Sequence, residues 1–185
     1  MLEVEVKYRN TDPAGVLAKL LALGASRVEE RVDADRYFNA PDRDLKLTDE
    51  AFRLRRIGSR NLLTYKGPKR AAETKTRTEI EVPFADGDAV AADAEKLLVC
   101  LGYKPVAIVR KSRTVYHLDR NGFAIEACLD ELEGVGSFVE LEIVAEEERF
   151  EAAQAAVLQL AAELGLKDRE PRSYLGMFLA FTAAS

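Results

Sequence analysis

The opening stretch of the chain, EVEVKYR, combines two acids and two bases at regular spacing. Glu3, Glu5 and Lys7 occupy alternate positions, and Val4 and Val6 lie between them. A period of two predicts a β-strand with one charged face and one apolar face. Glutamate pairs suit a hard divalent cation such as Mg2+, whereas lysine and arginine suit phosphate oxygens. The stretch therefore contains the residue types that could hold a metal–polyphosphate complex.

The pattern of paired glutamates returns twice along the chain. TEIEV at 78–82 and VELEI at 139–143 each place two glutamates on one strand face. Other strand patterns add further charged residues at alternate positions. If all of these faces point one way, they present acids at positions 3, 5, 79, 81, 126, 130, 140 and 142, and bases at positions 7, 53, 55, 66, 77, 111 and 113. Repeated like-charged pairs indicate a charged ligand between the strands; a solvent-exposed sheet face is the alternative.

Helical patterns follow each of the Glu-x-Glu strands. They run over PAGVLAKLLALG, DAVAADAEKLLVCLG and FEAAQAAVLQLAAELG, and each ends at a glycine, as helices commonly do. More strand follows the first two helices, so we interpret the chain as two β-α-β-β-β units of an α+β fold. Amphipathic helices can cover the apolar faces of the strands. The expected result is an antiparallel sheet curled into a barrel or tunnel, charged inside and jacketed by helices outside.

The bulk properties of the chain narrow the possible functions. It has 185 residues, a formal net charge of -5 and a pI of about 5.2, which argue against a general nucleic-acid binder. No apolar run approaches the roughly 18 residues of a membrane span, and the first residues do not resemble a signal peptide. Cys100 and Cys128 lack metal-ligand spacing, so we expect a cytoplasmic protein without a zinc site. A catalytic pair of Cys128 with His117, the single histidine, is a weaker alternative.

The ordered set of motifs resembles the CYTH family, also called the triphosphate tunnel metalloenzymes. The resemblance rests on the opening Glu-x-Glu-x-Lys and on RLR, YKGPK, TRTEIEV, RKSR and CLDELEGVGSFVELEI, and it covers nearly the whole chain. The ending EPRSY is similar to the class IV adenylyl cyclase branch, which includes archaeal relatives. The resemblance implies that residues 1–185 form a single CYTH domain, folded as a closed antiparallel eight-stranded β-barrel with helices packed outside.

The resemblance also implies roles for individual residues. Metal would be held by four glutamates: Glu3, Glu5, Glu140 and Glu142. The triphosphate would be held by seven bases: Lys7, Arg53, Arg55, Lys66, Arg77, Lys111 and Arg113. Five of these bases would take part in catalysis: Lys7, Arg53, Arg55, Lys66 and Arg113. Additional candidates are Glu79, Glu81, Asp130 and Lys69, the last of which shares a loop with Arg70 and Lys75.

A divalent-metal-dependent enzyme is the function that the resemblance implies, with Mg2+ or Mn2+ as cofactor and a small-molecule triphosphate as substrate. The first hypothesis is a class IV-type adenylyl cyclase, a phosphorus–oxygen lyase that converts ATP to cyclic AMP and pyrophosphate. The alternative is a triphosphatase that hydrolyses tripolyphosphate, thiamine triphosphate or a nucleoside triphosphate. A non-catalytic polyphosphate- or nucleotide-binding module is a further alternative. No nucleic-acid or membrane partner is expected, and a homodimer is one possible assembly.

Overall fold

The computed structural model describes residues 2–69 and 76–184, which form eight strands and four α-helices. The strands are β1 (Leu2–Arg9), β2 (Ser26–Asn39), β3 (Ala51–Ile57), β4 (Arg60–Lys66), β5 (Glu79–Phe84), β6 (Lys104–Arg120), β7 (Phe123–Leu132) and β8 (Gly136–Ala145). The helices are α1 (Pro13–Ala22), α2 (Asp88–Cys100), α3 (Phe150–Leu164) and α4 (Tyr174–Ala184), and a short 3-10 helix, Glu147–Arg149, precedes α3. Arg70 and Lys75 lie outside the described residues. Within the described ranges, no helix is both long and apolar enough to cross a bilayer.

Local sequence signals set the ends of the helices. The Asp12 side chain accepts a hydrogen bond from the Gly15 N–H at 3.0 Å and thereby caps α1, whose first residue is Pro13. Both residue types are favoured at these positions, because the cap satisfies a free N–H group and proline needs no N–H partner there. At the other end of a helix, Gly165 follows α3 with a φ of 78°, a left-handed conformation that glycine adopts without steric cost.

The strands form one antiparallel sheet in the order β1-β8-β7-β6-β2-β3-β4-β5. Along the chain, the elements divide into β1-α1-β2-β3-β4 and β5-α2-β6-β7-β8, which confirms the predicted repeat of β-α-β-β-β units. If the two units are exchanged, so that β1 takes the place of β5, β2 of β6, β3 of β7 and β4 of β8, the same strand order results when it is read from the opposite edge. The topology therefore has a two-fold symmetry. The first strand of each unit pairs with the last strand of the other unit, β1 with β8 and β5 with β4.

The two edges of the sheet approach each other at one place. An isolated antiparallel bridge joins Glu3 of β1 to Arg77, which lies just before β5. The Lys66 ammonium of β4 lies 3.2 Å from the Glu3 carboxylate. The sheet is therefore curled into a half-barrel. Across residues 2–69 and 76–184, no longer ladder pairs β1 with β5, so the continuous closure expected from the sequence stays a prediction.

Most of the apolar core lies on the outer face of the sheet. Val4 of β1 packs with Val157 and Leu160 of α3 in the largest group of buried apolar residues. Leu98 of α2 and Leu54 of β3 belong to a second group on the same outer side. The usual small barrel is filled with apolar side chains. Here the helices take over that packing, which leaves the inner face of the sheet to polar and charged residues.

The last helix departs from the expected outer jacket. Tyr174 and Met177 of α4 pack with Val109, Leu132 and Phe138, and these three strand residues share the parity of the charged residues on their strands. Helix α4 therefore packs against the inner face of the sheet, and the expectation that all helices lie outside is wrong for it. Its sequence, YLGMFLAFTAA, is apolar on all sides, so periodicity cannot indicate which side is buried.

Candidate active site

The inner face of the curled sheet carries the charged residues singled out in the sequence. On β1, the exposed fractions are 7% for Glu3, 6% for Glu5 and 2% for Lys7. On β3, Arg53 and Arg55 are also buried. Charged side chains on an ordinary solvated sheet would be mostly exposed. The alternative of a solvent-exposed face is therefore excluded for these two strands.

The neighbouring arginine of β3 shows the opposite orientation. Arg56 turns to the outer side, where its guanidinium binds the Asp88 carboxylate at the start of α2. Arg55 turns inward. This contrast confirms the facing that the period-two pattern predicts for β3.

Two aspartates of β2 hold the arginines of β3. The Asp35 carboxylate accepts hydrogen bonds from Arg55 at 2.7 and 2.8 Å and from Arg53 at 3.2 Å, and Asp33 lies 3.5 Å from Arg55. Burial acts to raise the pKa of Asp35, but Arg53 and Arg55 together hold that pKa well below its usual range. The two guanidinium groups are thus fixed in place by buried carboxylates.

Asp130 of β7 organises a second group of bases. It accepts hydrogen bonds from Arg113 at 2.7 and 2.6 Å and lies 3.4 Å from the Lys111 ammonium. Burial acts to raise the pKa of Asp130, yet Arg113 and Lys111 lower it below the ordinary value. Arg113 also binds Glu140, whose other oxygen lies 3.2 Å from the Lys7 ammonium. We call the bases held by Asp35, Asp130 and Glu140, namely Arg53, Arg55, Lys111, Arg113 and Lys7, the base wall.

An acidic cluster, defined as Glu3, Glu5, Glu126 and Glu142, lies beside the base wall. Glu5 of β1 and Glu126 of β7 are the direct strand neighbours of Glu142 on β8. Burial, followed by the charges of Glu3, Glu5 and Glu126, raises the pKa of Glu142 to about 8. Burial also raises the pKa of Glu3, with Lys66 acting against it and Glu5 adding to it. These carboxylates therefore repel one another, and a proton or a cation would relieve the repulsion.

Lys66 connects the acidic cluster to the edge strand β5. Its ammonium lies 3.2 Å from Glu3 and 2.5 Å from Glu79. Glu81, the next inward residue of β5, accepts a hydrogen bond from the Thr64 hydroxyl at 3.0 Å. The additional candidates Glu79 and Glu81 are thus engaged with residues of β4.

Two further predicted bases differ in their surroundings. Arg77 is buried where it bridges to Glu3. Lys69 is exposed, and its ammonium lies 2.7 Å from the Asp49 carboxylate. Arg77 therefore lies in the interior of the site, outside the base wall, and Lys69 lies at the rim of the site.

A cavity of about 1270 Å³ lies within the curve of the sheet. Every residue that the sequence nominated for the site lines this cavity except Asp130, which lies behind Arg113 as its counter-ion. Helix α4 also contributes to the lining, through residues that include Tyr174, Leu175 and Leu179. The fold therefore brings the nominated acids and bases of seven strands around one space.

The profile of the CYTH domain matches residues 1–174 of the sequence. The chain belongs to the CYTH family. Over 142 residues it is 40% identical to the Methanocaldococcus jannaschii protein MJ0240, which is named provisionally as an adenylate cyclase, and the match spans 77% of each chain. Over 178 residues it is 31% identical to adenylate cyclase CyaB of Aeromonas hydrophila, with 93% of this chain and 86% of that protein covered.

Solved structures show the same fold. The PH1819 protein of Pyrococcus horikoshii superimposes with a TM-score of 0.84 at 34% identity, covering 96% of this chain and 98% of that one. The HpAC1 protein of Hippeastrum, described as having a dominant triphosphatase activity, superimposes with a TM-score of 0.63 at 18% identity, covering 100% of this chain and 96% of that one. At that identity, the second likeness concerns the fold alone.

Sequence reasoning nominated the buried counter-ion Asp130 but missed those on β2 of this CYTH domain. Asp33 and Asp35 stand at alternate positions in VDADRYF, the same spacing that singled out the glutamate pairs, but Arg36 places a charge at the other parity, so the pattern does not decide which face lines the site. Tyr174 donates a hydrogen bond to Asp130 at 2.5 Å. Tyr174 is the last residue of the EPRSY motif, but no periodic signal indicated what it would contact, because it begins a helix that is apolar all round.

The alternative of a catalytic cysteine–histidine pair finds no support in the geometry of the CYTH domain. The Glu126 carboxylate lies between the two residues, 3.2 Å from His117 Nε2 and 3.3 Å from Cys128 Sγ. Burial raises the pKa of the Cys128 thiol well above its ordinary value. The thiolate, which is the reactive form, is therefore disfavoured.

By its donor chemistry, the acidic cluster of the CYTH domain fits a hard divalent cation. Carboxylate oxygens are the ligands that Mg2+ prefers among protein side chains, and Glu3, Glu5 and Glu126 add to the effect of burial in raising the pKa of Glu142. Within the described parts of the chain, no three acidic, histidine or cysteine side chains already stand in an arrangement for holding a metal ion. Of the four predicted ligands, Glu140 pairs with Lys7 and Arg113.

Glu142→Gln is expected to change the pH dependence of stability. The pKa of Glu142 is about 8 in the folded protein, against an ordinary 4.5, so the folded state keeps a proton that the unfolded chain loses. That stabilisation is complete below about pH 4.5 and is lost as the pH rises to about 8. The variant should remove this loss, on the order of 1 kcal/mol or more. Urea unfolding at pH 5.5 and 8.5 measures it, with outward-facing Glu131→Gln as control; an unchanged pH slope in Glu142→Gln would contradict the prediction.

Proposed function

We propose that this CYTH protein is a divalent-metal-dependent enzyme acting on triphosphates, and specifically a class IV-type adenylyl cyclase that converts ATP to cyclic AMP and pyrophosphate. The observation that carries the proposal is the presence of the base wall and the acidic cluster on one inner face, around one cavity. The names of the relatives from Methanocaldococcus jannaschii and Aeromonas hydrophila support the cyclase reaction. The proposal includes a cytoplasmic location; a homodimer stays a prediction.

The base wall would hold the triphosphate. Arginine presents a planar fork of N–H donors that matches phosphate oxygens, and lysine adds point charges. The Asp35 and Asp130 carboxylates already fix Arg53, Arg55 and Arg113 through hydrogen bonds of 2.6 to 3.2 Å. Bases that are held in place before the ligand arrives require little reorganisation when charge develops in the reaction.

The acidic cluster would hold Mg2+ or Mn2+ through Glu3, Glu5 and Glu142, with Glu140 as the fourth predicted ligand. When bound, the ion would neutralise phosphate charge and orient the reacting groups. Glu140 pairs with Lys7 and Arg113 in this structure. We infer that these two bases turn to phosphate when substrate binds and release Glu140.

Cyclisation makes one bond and breaks one bond at the α-phosphorus of ATP. The 3′-oxygen of the ribose bonds to the α-phosphorus, its proton passes to solvent, and the bond from the α-phosphorus to the bridging oxygen of the β-phosphate breaks. The base wall would bind the departing pyrophosphate and stabilise its charge. Positioning and charge neutralisation carry most of the rate enhancement in such reactions, which suits a site without a histidine base.

A closed tunnel is part of the proposed enzyme. The Glu3–Arg77 bridge joins the two edges of the sheet, and Lys66 contacts both Glu3 on β1 and Glu79 on β5. These contacts support a barrel that closes around a bound triphosphate, whose charge would draw bases from both edges inward.

Triphosphatase activity is the alternative reaction of the same site. Water would attack the γ-phosphorus, and the identity of the phosphorus in line with the nucleophile would decide the outcome. The base wall and the acidic cluster would serve either reaction, and HpAC1, which shares the fold at 18% identity, is described as having a dominant triphosphatase activity. The cavity volume of about 1270 Å³ exceeds the roughly 300–1,000 Å³ typical of small-molecule pockets, which leaves room for a nucleoside beside the phosphates. A purely binding module would not need the acidic cluster.

Phosphorus NMR is expected to show turnover of ATP by the purified protein with Mg2+ or Mn2+, and none after addition of EDTA. Cyclic AMP with pyrophosphate would establish the cyclase, and orthophosphate would establish the triphosphatase. Inorganic tripolyphosphate, tested in parallel, shows whether the nucleoside is required. If neither substrate is turned over with either metal, both enzyme proposals are wrong.

A further inference from the structure

One aromatic side chain from outside the sheet contacts the base wall. Tyr174, the first residue of α4, is 7% exposed. Its hydroxyl donates a hydrogen bond of 2.5 Å to Asp130, the carboxylate that also binds Arg113. Its ring lies close to two ammonium groups, with Lys7 Nζ at 3.5 Å and Lys111 Nζ at 4.7 Å from the ring centroid. One side chain thus touches three charged groups that come from three different strands.

We propose that Tyr174 is a positioning residue of the base wall, and that its ring and its hydroxyl have separate tasks. The ring positions the ammonium groups of Lys7 and Lys111. The hydroxyl affects how strongly Asp130 binds Arg113 and Lys111. The inference rests on the proposed function, because it assigns the base wall to a triphosphate. It extends the site beyond the strand motifs to the helix that ends the described chain.

The ring adds a hold on the two lysines that carries no charge. Each ammonium already has a carboxylate beside it, Glu140 at 3.2 Å from Lys7 and Asp130 at 3.4 Å from Lys111. A further carboxylate at the position of the ring would compete with an incoming phosphate. The negative face of an aromatic ring attracts both cations through its quadrupole and carries no net charge. Lys7 and Lys111 can therefore stay near the cavity, where both line the space.

The hydroxyl acts on the shared carboxylate. Asp130 Oδ2 receives the Tyr174 hydroxyl at 2.5 Å and an Arg113 nitrogen at 2.6 Å, whereas the Lys111 ammonium lies at 3.4 Å. An oxygen with two close donors attracts a third more weakly. The Tyr174 hydroxyl thus leaves Lys111 less tightly bound to Asp130.

A consequence is that docking of α4 and occupation of the base wall are coupled. Tyr174 and Met177 are the buried residues of α4, so contacts of Tyr174 make up much of what holds the helix. A ligand that orders Lys7 and Lys111 improves the contacts of the ring, and by reciprocity a well-docked ring improves ligand binding. Amide hydrogen exchange over residues 174–184 should slow when tripolyphosphate is added.

Three variants test the assignment: Tyr174→Phe, Tyr174→Leu and Met177→Ala. Tyr174→Phe keeps the ring and should weaken tripolyphosphate binding about threefold to tenfold. Tyr174→Leu loses both groups and should weaken it about tenfold to a hundredfold. Met177→Ala is the matched control, since Met177 is buried in the same apolar group on the same helix. It should lower the melting temperature but cost clearly less affinity than Tyr174→Leu, because it loosens the helix without removing a group that contacts the base wall.

Calorimetric titration with tripolyphosphate in EDTA measures binding without turnover, and thermal melts record the stability of each variant. If wild-type protein binds tripolyphosphate neither in EDTA nor with Mg2+, the proposed function fails and this inference fails with it. If wild type binds, and Met177→Ala loses as much affinity as Tyr174→Leu, Tyr174 only docks the helix and the inference alone is overturned. Should Tyr174→Leu not fold, Tyr174→Phe decides: affinity equal to wild type removes the role of the hydroxyl.

Discussion

Arg55→Ala should weaken triphosphate binding tenfold to a hundredfold, whereas Arg56→Ala should change it less than threefold. A charge-assisted hydrogen bond contributes about 1.5–3 kcal/mol, which corresponds to this range of affinity. Arg55 lines the cavity, whereas Arg56 binds Asp88 on the outer side. Titration calorimetry with tripolyphosphate or ATP measures both variants. Equal losses in the two variants would mean that the assigned facing of β3 does not matter for binding.

A second variant separates ligand binding from folding at the same position. Removing Arg55 leaves the buried carboxylates of Asp35 and Asp33 with fewer partners, and breaking a buried ion pair costs about 3–5 kcal/mol. The double variant Arg55→Ala/Asp35→Asn removes one of the stranded charges. We expect it to regain much of the stability in urea unfolding but none of the triphosphate affinity. Recovery of affinity together with stability would show that Arg55 acts only through the fold.

Glu3→Gln and Glu142→Gln should abolish metal-dependent turnover without lowering the stability of the metal-free protein. Burial and the neighbouring glutamate charges raise the pKa of Glu142, so it is mostly protonated near neutral pH and glutamine replaces it without losing a charge. Glu3→Gln removes a charge that lies beside Glu5 and Glu142, which lessens repulsion in the metal-free state. Glu140→Gln should differ, because it weakens the buried contacts with Lys7 and Arg113. That variant is expected to be less stable as well as inactive. If all four glutamates served only the metal, Glu140→Gln would be inactive but no less stable than the other two variants.

Thermal melts with and without ligand provide the measurement for the acidic cluster. A ligand at a hundred times its Kd stabilises by about 2.7 kcal/mol, and a chain of this size gains roughly 2–4 °C per kcal/mol. Mg2+ with a triphosphate should thus raise the wild-type melting temperature by about 5–10 °C. Glu3→Gln and Glu142→Gln should lose most of that increase, and Glu131→Gln, on the outer face of β7, should keep it. A variant of the cluster that keeps the full increase would show that metal binds elsewhere.

The strand pattern of this chain predicts the sheet well, because each side chain of a strand points to one of only two faces of the sheet. The alternation in EVEVKYR is enough to place Glu3, Glu5 and Lys7 on the inner face, since the other face must meet apolar helices. The order of elements follows for the same reason, with helices wherever the period changes to 3.6. Site residues on such strands, such as Arg53 and Arg55, could therefore be nominated before the structure.

Other parts of the site could not be predicted in this way. On β2, charges occur at both parities: Asp33 and Asp35 face inward, whereas Arg36 pairs with Glu95 of α2 on the outer side. The sequence alone does not say which parity lines the site until the pairing with β3 is known. Tyr174 depends on where α4 docks, and that is decided by long-range packing against Phe138 and its neighbours. Ion pairing is likewise not visible in the strand pattern, and the family resemblance implied for Glu140 the role of a metal ligand alone.

The exchange of first strands between the two units affects the order in which the chain can fold during its synthesis. Leu2 pairs with Ala145 and Glu5 with Glu142, so β1, the first of the eight strands in chain order, finds its partner only after β8 has been synthesised. Contacts between residues so distant in sequence slow folding. We therefore expect the inner face of the sheet to be completed late. A nascent chain that ends before β8 lacks both the partner strand of β1 and the strand that carries Glu140 and Glu142. Cutting the chain between β4 and β5 would yield two fragments, each with its first strand unpaired. Neither fragment contains a complete site. We therefore expect triphosphate binding only after the two fragments associate and each contributes a strand to the other.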